Sequence, residues 1–252
     1  MKYFIYGLIT TVLFCAESVA QKGENWHLPD DSGQLVVVIA DSPEQFSGKL
    51  WRFEKAGAEW KSVAAPIDIV IGKKGLGWGK GLHPAQSGEM SQKREGDGKS
   101  PAGVFALSSV FGFAELDSIM PINMPYVHVT ELLECVDDAA SQYYNTLVDN
   151  DTVAEHDWHS SEKMMRVGEP YHLGVFVDHN VNPIQPGAGS CIFLHIWGGA
   201  DDPTIGCTAM PAEQMDAVVS WLKKSEKPLL VQLPKQLYSK YQGQWHLPKI
   251  AQ

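Results

Sequence analysis

A mixed, β-dominated α/β domain is the fold class that this sequence predicts, and three observations predict it. Short apolar runs rich in β-branched residues recur along the chain, Gly- and Pro-rich segments separate them, and one amphipathic helix comes late. The runs do not alternate with helices, which argues against a doubly wound parallel sheet.

Taken in chain order, residues 35–40 (LVVVIA) and 67–71 (IDIVI) read as buried strands, with 51–53 and 104–107 as shorter ones. Residues 172–178 (HLGVFVD) and 190–197 (SCIFLHIW) are the strongest strands of the second half, and 229–233 closes the pattern. The helix opens at Pro211, where a first-turn proline is tolerated, with Glu213 suited to the positive end of the helix. Met215, Val218, Val219 and Leu222 then repeat at helical spacing, and Lys223 and Lys224 mark the end. Residues 131–165, dense in Asp, Tyr and His, read as an insertion of loops or weak helix. The tetrapeptide Trp-His-Leu-Pro occurs at 26–29 and again at 245–248, too short for a structural repeat and attributable to coincidence or to similar packing of the two ends.

The chain has 252 residues, 44% hydrophobic and 20% charged, enough to bury a sizeable core. A formal charge of −10 leaves no basic face for nucleic acid. Lys2, the apolar run 3–14 and the small residues Ser18-Val19-Ala20 form the pattern of a cleaved secretory signal over residues 1–20. Lipidation at Cys15 is disfavoured by the bulky Phe14 before it. No later run is long enough to span a bilayer, so residues 21–252 are expected as one exported domain, with a periplasm as its destination. Nothing in the sequence bears on oligomeric state.

Several motifs tempt and fail. Gly75, Gly77, Gly79 and Gly81 do not have dinucleotide spacing, and Gly98-Lys99-Ser100 lacks the first glycine of a phosphate loop, Lys93 standing there instead. Both stretches are expected as loops. Seven histidines between His83 and His195 show no HExxH and the cysteines no CxxC, so no metal or cofactor is expected. The pairs Asp137-Asp138 and Asp149/Asp151 read as solvated acidic loops before paired catalytic carboxylates.

The segment from Ser190 to Met210 carries the chemistry. Strand alternation puts Cys191, Phe193, His195 and Trp197 on one face. A Gly-, Asp- and Pro-rich turn leads to Gly206-Cys207, immediately before the amphipathic helix. A thiol there would feel the helix dipole and could lose its proton to a neighbouring imidazole. Gly206 would leave room for a carbonyl near backbone N–H groups, an oxyanion site. On residue chemistry alone a nucleophilic Cys/His pair and a packed, inert Cys and His stand even.

His195 followed by Thr204-Ile205-Gly206-Cys207 resembles the signature of the YkuD-type L,D-transpeptidase family, a His, a spacer, then [Ser/Thr]-His-Gly-Cys. Ser100-Pro101-Ala102-Gly103-Val104-Phe105 is similar to the same family's Thr-Pro-x-Gly-x-Phe element. The resemblance implies a β-sandwich or barrel with a helix after the catalytic Cys. It implies a cofactor-free acyltransferase acting on peptidoglycan stem peptides or another wall polymer: Cys207 as nucleophile, His195 as its base, Gly206 in the oxyanion region. Trp197, Thr204, Thr208 and Tyr171 are the expected substrate contacts. With Cys207 as the nucleophile, Cys135 and Cys191 are expected to pair. Departures are the short spacing of 12 positions from His195 to Cys207, Ile205 in place of a second His, and the tail Thr208-Ala209-Met210. The Trp158/Glu162 region lies outside the signature and is expected as a lid or a structural insertion. Rival readings are a hydrolase (a carboxypeptidase or amidase) cutting the same bonds, and a non-catalytic wall- or glycan-binding module that would use exposed Trp158, Tyr143 and Tyr144.

Overall fold

A computed structural model describes residues 26–116 and 121–250; the expected signal segment and Cys15 lie outside the described residues. Eight strands close into a barrel. In order around it run β1 (Gln34–Ala40), β14 (Leu229–Pro234), β6 (Ser100–Gly112), β11 (Leu173–Val177), β12 (Phe193–Ile196), β13 (Thr208–Met210), β4 (Ile67–Val70) and β2 (Ser47–Ala56), and pairing of β2 with β1 joins the ends. β1/β14 and β12/β13 are parallel, and the other barrel pairs are antiparallel. β3 (Glu59–Ser62) edges β2, while β5 (Leu76–Trp78) and β7 (Tyr126–His128) flank β6. A barrel of this size is filled by its own side chains, and Leu35, Leu50, Phe105, Leu194 and Val231 are fully buried. Gly174 on β11 is required by a close approach, because a Cβ there would lie 2.3 Å from the Phe111 ring.

The predicted helix is α2 (Ala212–Trp221), burying Met215, Val218 and Val219, with buried Leu222 at its end. The chain leaves β14 directly into a second helix, α3 (Lys235–Tyr241), too short for its apolar spacing to announce it. The two Trp-His-Leu-Pro segments pack on each other. Trp26 meets Trp245 edge-on at 5.1 Å, His27 stacks on His246 at 4.7 Å, and Leu28 N–H donates to Trp245 O at 3.1 Å.

Three expectations are corrected. Residues 131–165 are not helix and loop alone but carry a three-stranded antiparallel sheet of β8 (Leu133–Val136), β9 (Leu147–Asp149) and β10 (Ser161–Lys163), with β8 central, followed by the one-turn helix α1 (Met164–Val167). Its centre is polar, which is why no apolar period marks it. Buried Glu134 accepts Ser161 Oγ at 2.6 Å and Trp158 Nε1 at 3.2 Å, and also pairs with Lys163 and the Asn150 amide. The run 190–197 is strand only from Phe193, because Cys191 has φ +52° and its N–H bonds Asn145 Oδ1 at 2.9 Å. The glycine stretch 75–81 contains β5, parallel to β6.

Candidate active site

β12 and β13 lie side by side with Leu194 opposite Thr208 and His195 opposite Ala209. Continuing that register by one places Cys207 opposite Phe193, on the face that Phe193 shares with His195. Among the described residues Cys207 is the free cysteine; Cys135 and Cys191 are joined, Cα–Cα 6.0 Å, as expected. The Cys207 Sγ accepts the Phe193 N–H at 3.3 Å and donates to the Cys191 carbonyl oxygen at 3.5 Å.

The backbone at Cys207 is clamped from two sides. Thr204 Oγ1 donates to the Cys207 carbonyl at 2.6 Å and accepts the Gly206 N–H at 3.1 Å. Ser100 Oγ donates to the same carbonyl at 2.9 Å and accepts the Gly72 N–H at 2.8 Å. The Ser100 and Gly206-Cys207 elements, distant in sequence, therefore meet at one carbonyl. A Cβ on Gly206 would lie 3.3 Å from Ile192 Cδ1 and 3.5 Å from Lys99 O, so glycine lets the turn seat closely.

Several chemical expectations change. Cys207 does not open the helix: β13 intervenes and α2 begins at Ala212, so no helix dipole acts on the thiol. Burial, followed by the nearby Glu162 charge, pushes its pKa up where the sequence predicted a lowered one. The Gly206 N–H is held by Thr204 and is not a free oxyanion donor. Thr208 is buried with its hydroxyl on Gln232 Oε1 at 2.7 Å and does not line the cavity beside Cys207. Trp197 is half-buried and does not line the cavity beside Cys207. Trp158 and Tyr144 are buried and Tyr143 partly so, which removes the exposed aromatics on which a glycan-binding module would rest.

His195 is buried, and its Nδ1 lies 2.7 Å from Ile196 O. A carbonyl only accepts, so Nδ1 carries the proton and Nε2 holds a lone pair. Burial lowers its pKa and keeps the ring neutral. Among the described residues no hydrogen bond joins His195 to Cys207. Tyr171 stands beside His195 instead: its ring meets His195 edge-on at 5.4 Å and its hydroxyl donates to the Glu162 carboxylate.

Beside the thiol is a cavity of about 190 Å³, bounded by Cys207, Glu162, Asp137, Glu95, Lys73 and Lys93. Ile205, 71% exposed, and Gly206 sit at its wall. Lys93 is held by Asp97 at 2.7 Å, and Glu95 accepts from the Ser190 hydroxyl at 2.6 Å and from Tyr144. Asp137 Oδ1 is buried without a hydrogen-bond partner, so Asp137 belongs to the site and is not a solvated loop residue. Burial drives the Glu162 pKa up to about 7. Sequence reasoning missed these acidic groups. Glu162 is opposite Cys135 in β10/β8, so only the Cys135–Cys191 link could have pointed from the insertion to the thiol.

The closed β-barrel thus presents, at its parallel strand pair, the one free thiol among the described residues, beside a charged cavity. The chain matches the family model of YkuD, the L,D-transpeptidase catalytic domain, over residues 36–231. It belongs to that family, whose chemistry is directed at peptidoglycan. Among solved structures it is similar to the helical cell shape determining protein Pgp2 from Campylobacter jejuni, at 14% identity and TM-score 0.39, over 87% of this chain and 54% of that one. A variant of the same protein with one lysine replaced by alanine matches at 13% identity and TM-score 0.37, over 86% and 53%. This chain thus spans about half the length of these structures. A search of the curated proteins gives no significant match. Among the described residues no helix is long and apolar enough to cross a membrane, and no His, Cys, Asp and Glu side chains cluster as a metal site.

Proposed function

We propose that the protein is an exported cysteine acyltransferase of the cell wall, an L,D-transpeptidase in which Cys207 attacks a stem-peptide carbonyl. The observation that carries this reading is that the one free thiol among the described residues lies at the wall of the charged cavity in a YkuD domain. Attack releases the terminal D-amino acid and leaves a thioester on Cys207; a second stem's amine then resolves it as a new amide. His195, with its Nε2 lone pair on the same face, takes the thiol proton and passes it to the leaving amine, then takes the proton of the attacking amine and returns it to the Cys207 sulfur. Lys73, Lys93, Asp137 and Glu95 lining one cavity suit a peptide end that bears both a carboxylate and an amine. The unpartnered Asp137 Oδ1 has a place for one substrate N–H donor.

The cavity, about 190 Å³, is smaller than the ~300–1,000 Å³ of typical small-molecule pockets, which favours a peptide chain end over a glycan strand. The same narrowness favours water as the resolving nucleophile for part of the flux, so the hydrolase reading is the alternative. The test is product analysis by mass spectrometry after incubation with purified disaccharide-tetrapeptide, with Cys207→Ala alongside. Loss of the terminal residue seen only with the wild type supports the chemistry, and the ratio of cross-linked dimer to trimmed tripeptide separates transferase from hydrolase. Equal turnover by Cys207→Ala would sink the reading.

A further inference from the structure

The cavity at Cys207 has room for the end of a peptide, yet a stem peptide hangs from a glycan strand, and that strand has to lie elsewhere on the protein. A second cavity, of about 740 Å³, lies away from the thiol. Its floor is one face of β1, β2 and β3. Trp51 and Phe53 alternate along β2 with Arg52, which bonds the Ala217 carbonyl of α2 at 2.6 Å, so the two rings lie on the side of the strand away from α2. Phe53 is opposite Ser62 and Lys55 opposite Trp60, which brings Trp60 and Ser62 onto the same face. One wall is α3 with its C-terminal cap, whose Lys235, Tyr238, Ser239 and Gln242 recur at helical spacing along the cavity. The C-terminal segment closes it. Tyr238 Oη and Gln242 Nε2 both donate to the Pro248 carbonyl, at 2.7 and 2.9 Å, and so hold Lys249 and Ile250 at its edge.

We propose that this aromatic groove is a glycan-binding site that takes an acidic, N-acetylated strand of the wall; the choice of a wall glycan rests on the wall-directed reading above. A sugar ring has an apolar C–H face and a rim of hydroxyls. The groove matches both, with the Trp51, Phe53 and Trp60 rings on its floor and the Ser62, Ser239 and Gln242 side chains at its sides. The two serine hydroxyls donate to Ala64 O and Lys235 O, which leaves their oxygens as acceptors for sugar hydroxyls. An aliphatic ligand would strip water from these polar groups and replace none of its hydrogen bonds. Trp60 also borders a neighbouring cavity of about 440 Å³, where Lys55 Nζ sits 5.7 Å from the centre of its ring. Two cavities that meet at one indole suit a chain better than a compact molecule.

Charge selects an acidic strand. Lys49 is paired with Asp68 at 2.6 Å, but among the described residues Lys235 and Lys249 are exposed and have no carboxylate partner. Asp41 is the carboxylate of the lining. On a chain of net charge −10, two free cations beside an aromatic floor draw a carboxylate-bearing strand to this face. In the sheet β3 is three strands from β13, roughly 15 Å at the usual strand spacing. A strand held there keeps the protein on its polymer while the thiol stays free for a stem peptide.

The test is calorimetric binding of peptide-free glycan strands, prepared from purified peptidoglycan with an amidase so that each muramyl residue ends in a free carboxylate. Such strands carry no bond for Cys207 to attack. Turnover without strand binding would therefore overturn the groove and leave the chemistry, and strand binding without turnover would do the reverse. Trp51→Ala and Trp60→Ala should each weaken binding about tenfold, and Trp60→Phe should recover most of the loss. Lys235→Ala combined with Lys249→Ala should weaken binding of the strands and leave the weaker binding of a neutral N-acetylglucosamine tetramer unchanged. In unsubstituted protein labelled with ¹⁵N-tryptophan, the strands should shift the indole N–H signals of Trp51 and Trp60. The signal of Trp78, whose indole donates to Gly88 O at 3.1 Å, should stay in place. That readout stands even where a variant does not fold. The proposal is overturned by strands that do not bind, by binding that survives both tryptophan substitutions, or by polyglutamate binding as tightly as the strands, which would make the groove a site for acidic peptide.

Discussion

At the scale of single residues, Thr204 is the side chain that most directly holds the nucleophile in place. Its hydroxyl is at once the donor to the Cys207 carbonyl and the acceptor of the Gly206 N–H. Thr204→Val keeps the shape and loses both bonds, leaving the Gly206 N–H unsatisfied and Ser100 as the remaining donor to that carbonyl. The expected loss is about 1–3 kcal/mol of stability by urea unfolding. Turnover should fall more than stability does, because the Cys207 backbone is freed. Unchanged turnover in folded Thr204→Val would show that the clamp does not position the thiol. The Gly-Cys turn was legible in the sequence because its residues are contiguous. The roles of Thr204 and Thr208 were not, since a hydroxyl's partner depends on which strand passes beside it: Thr208 was expected at substrate and faces Gln232.

At the scale of elements, the inserted sheet contributes an acid to the site while depending on the barrel for its own order. Three strands of three or four residues around a buried Glu134 form too little apolar core to stand alone. The Cys135–Cys191 bond closes a separation of 56 residues, for which chain entropy gives about 4 kcal/mol. The double substitution Cys135→Ser with Cys191→Ser should lower stability by about that amount. It should also make the β8–β10 region the first site of limited proteolysis while the barrel strands stay protected. Cleavage beginning in the barrel would contradict this division. The barrel strands and α2 were legible because each carries a local period. The insertion was not, because its strands are short and its centre is a glutamate, and Glu162 and Asp137 reach the thiol only through chain that returns from another sheet.

At the scale of the whole molecule, stability in acid is set by two buried histidines that hold backbone groups. His83 Nδ1 accepts the Val104 N–H at 3.1 Å, and His179 Nδ1 accepts the Lys80 N–H at 3.2 Å. Burial lowers both from 6.5 to about 4. The unfolded chain therefore takes up these protons at a pH where the folded chain does not. Their contribution is full above about 6.5 and is lost as pH falls towards 4. The loss is about 3 kcal/mol for each at the acid end. Glu162, raised from 4.5 to about 7, works in the opposite sense, its contribution being full in acid and lost as pH rises to neutrality. Urea midpoints should therefore drop between neutral pH and about 4, and His83→Gln, which retains an acceptor, should flatten that drop. An equally steep drop in the variant would remove His83 from the account. Nothing in the sequence marked His83 and His179 as buried, because burial of an imidazole is a property of the closed barrel.

The central claim is that Cys207 forms a thioester with a stem peptide, and intact-protein mass spectrometry during turnover tests it most directly. Mixing the protein with disaccharide-tetrapeptide and quenching in acid should give an adduct of the substrate's mass less its terminal amino acid. Peptide mapping should place that adduct on Cys207, and Cys207→Ala should carry none. A folded wild type whose Cys207 still reacts with iodoacetamide, yet which neither carries the adduct nor alters the tetrapeptide, would contradict the account and move the search to another acyl donor.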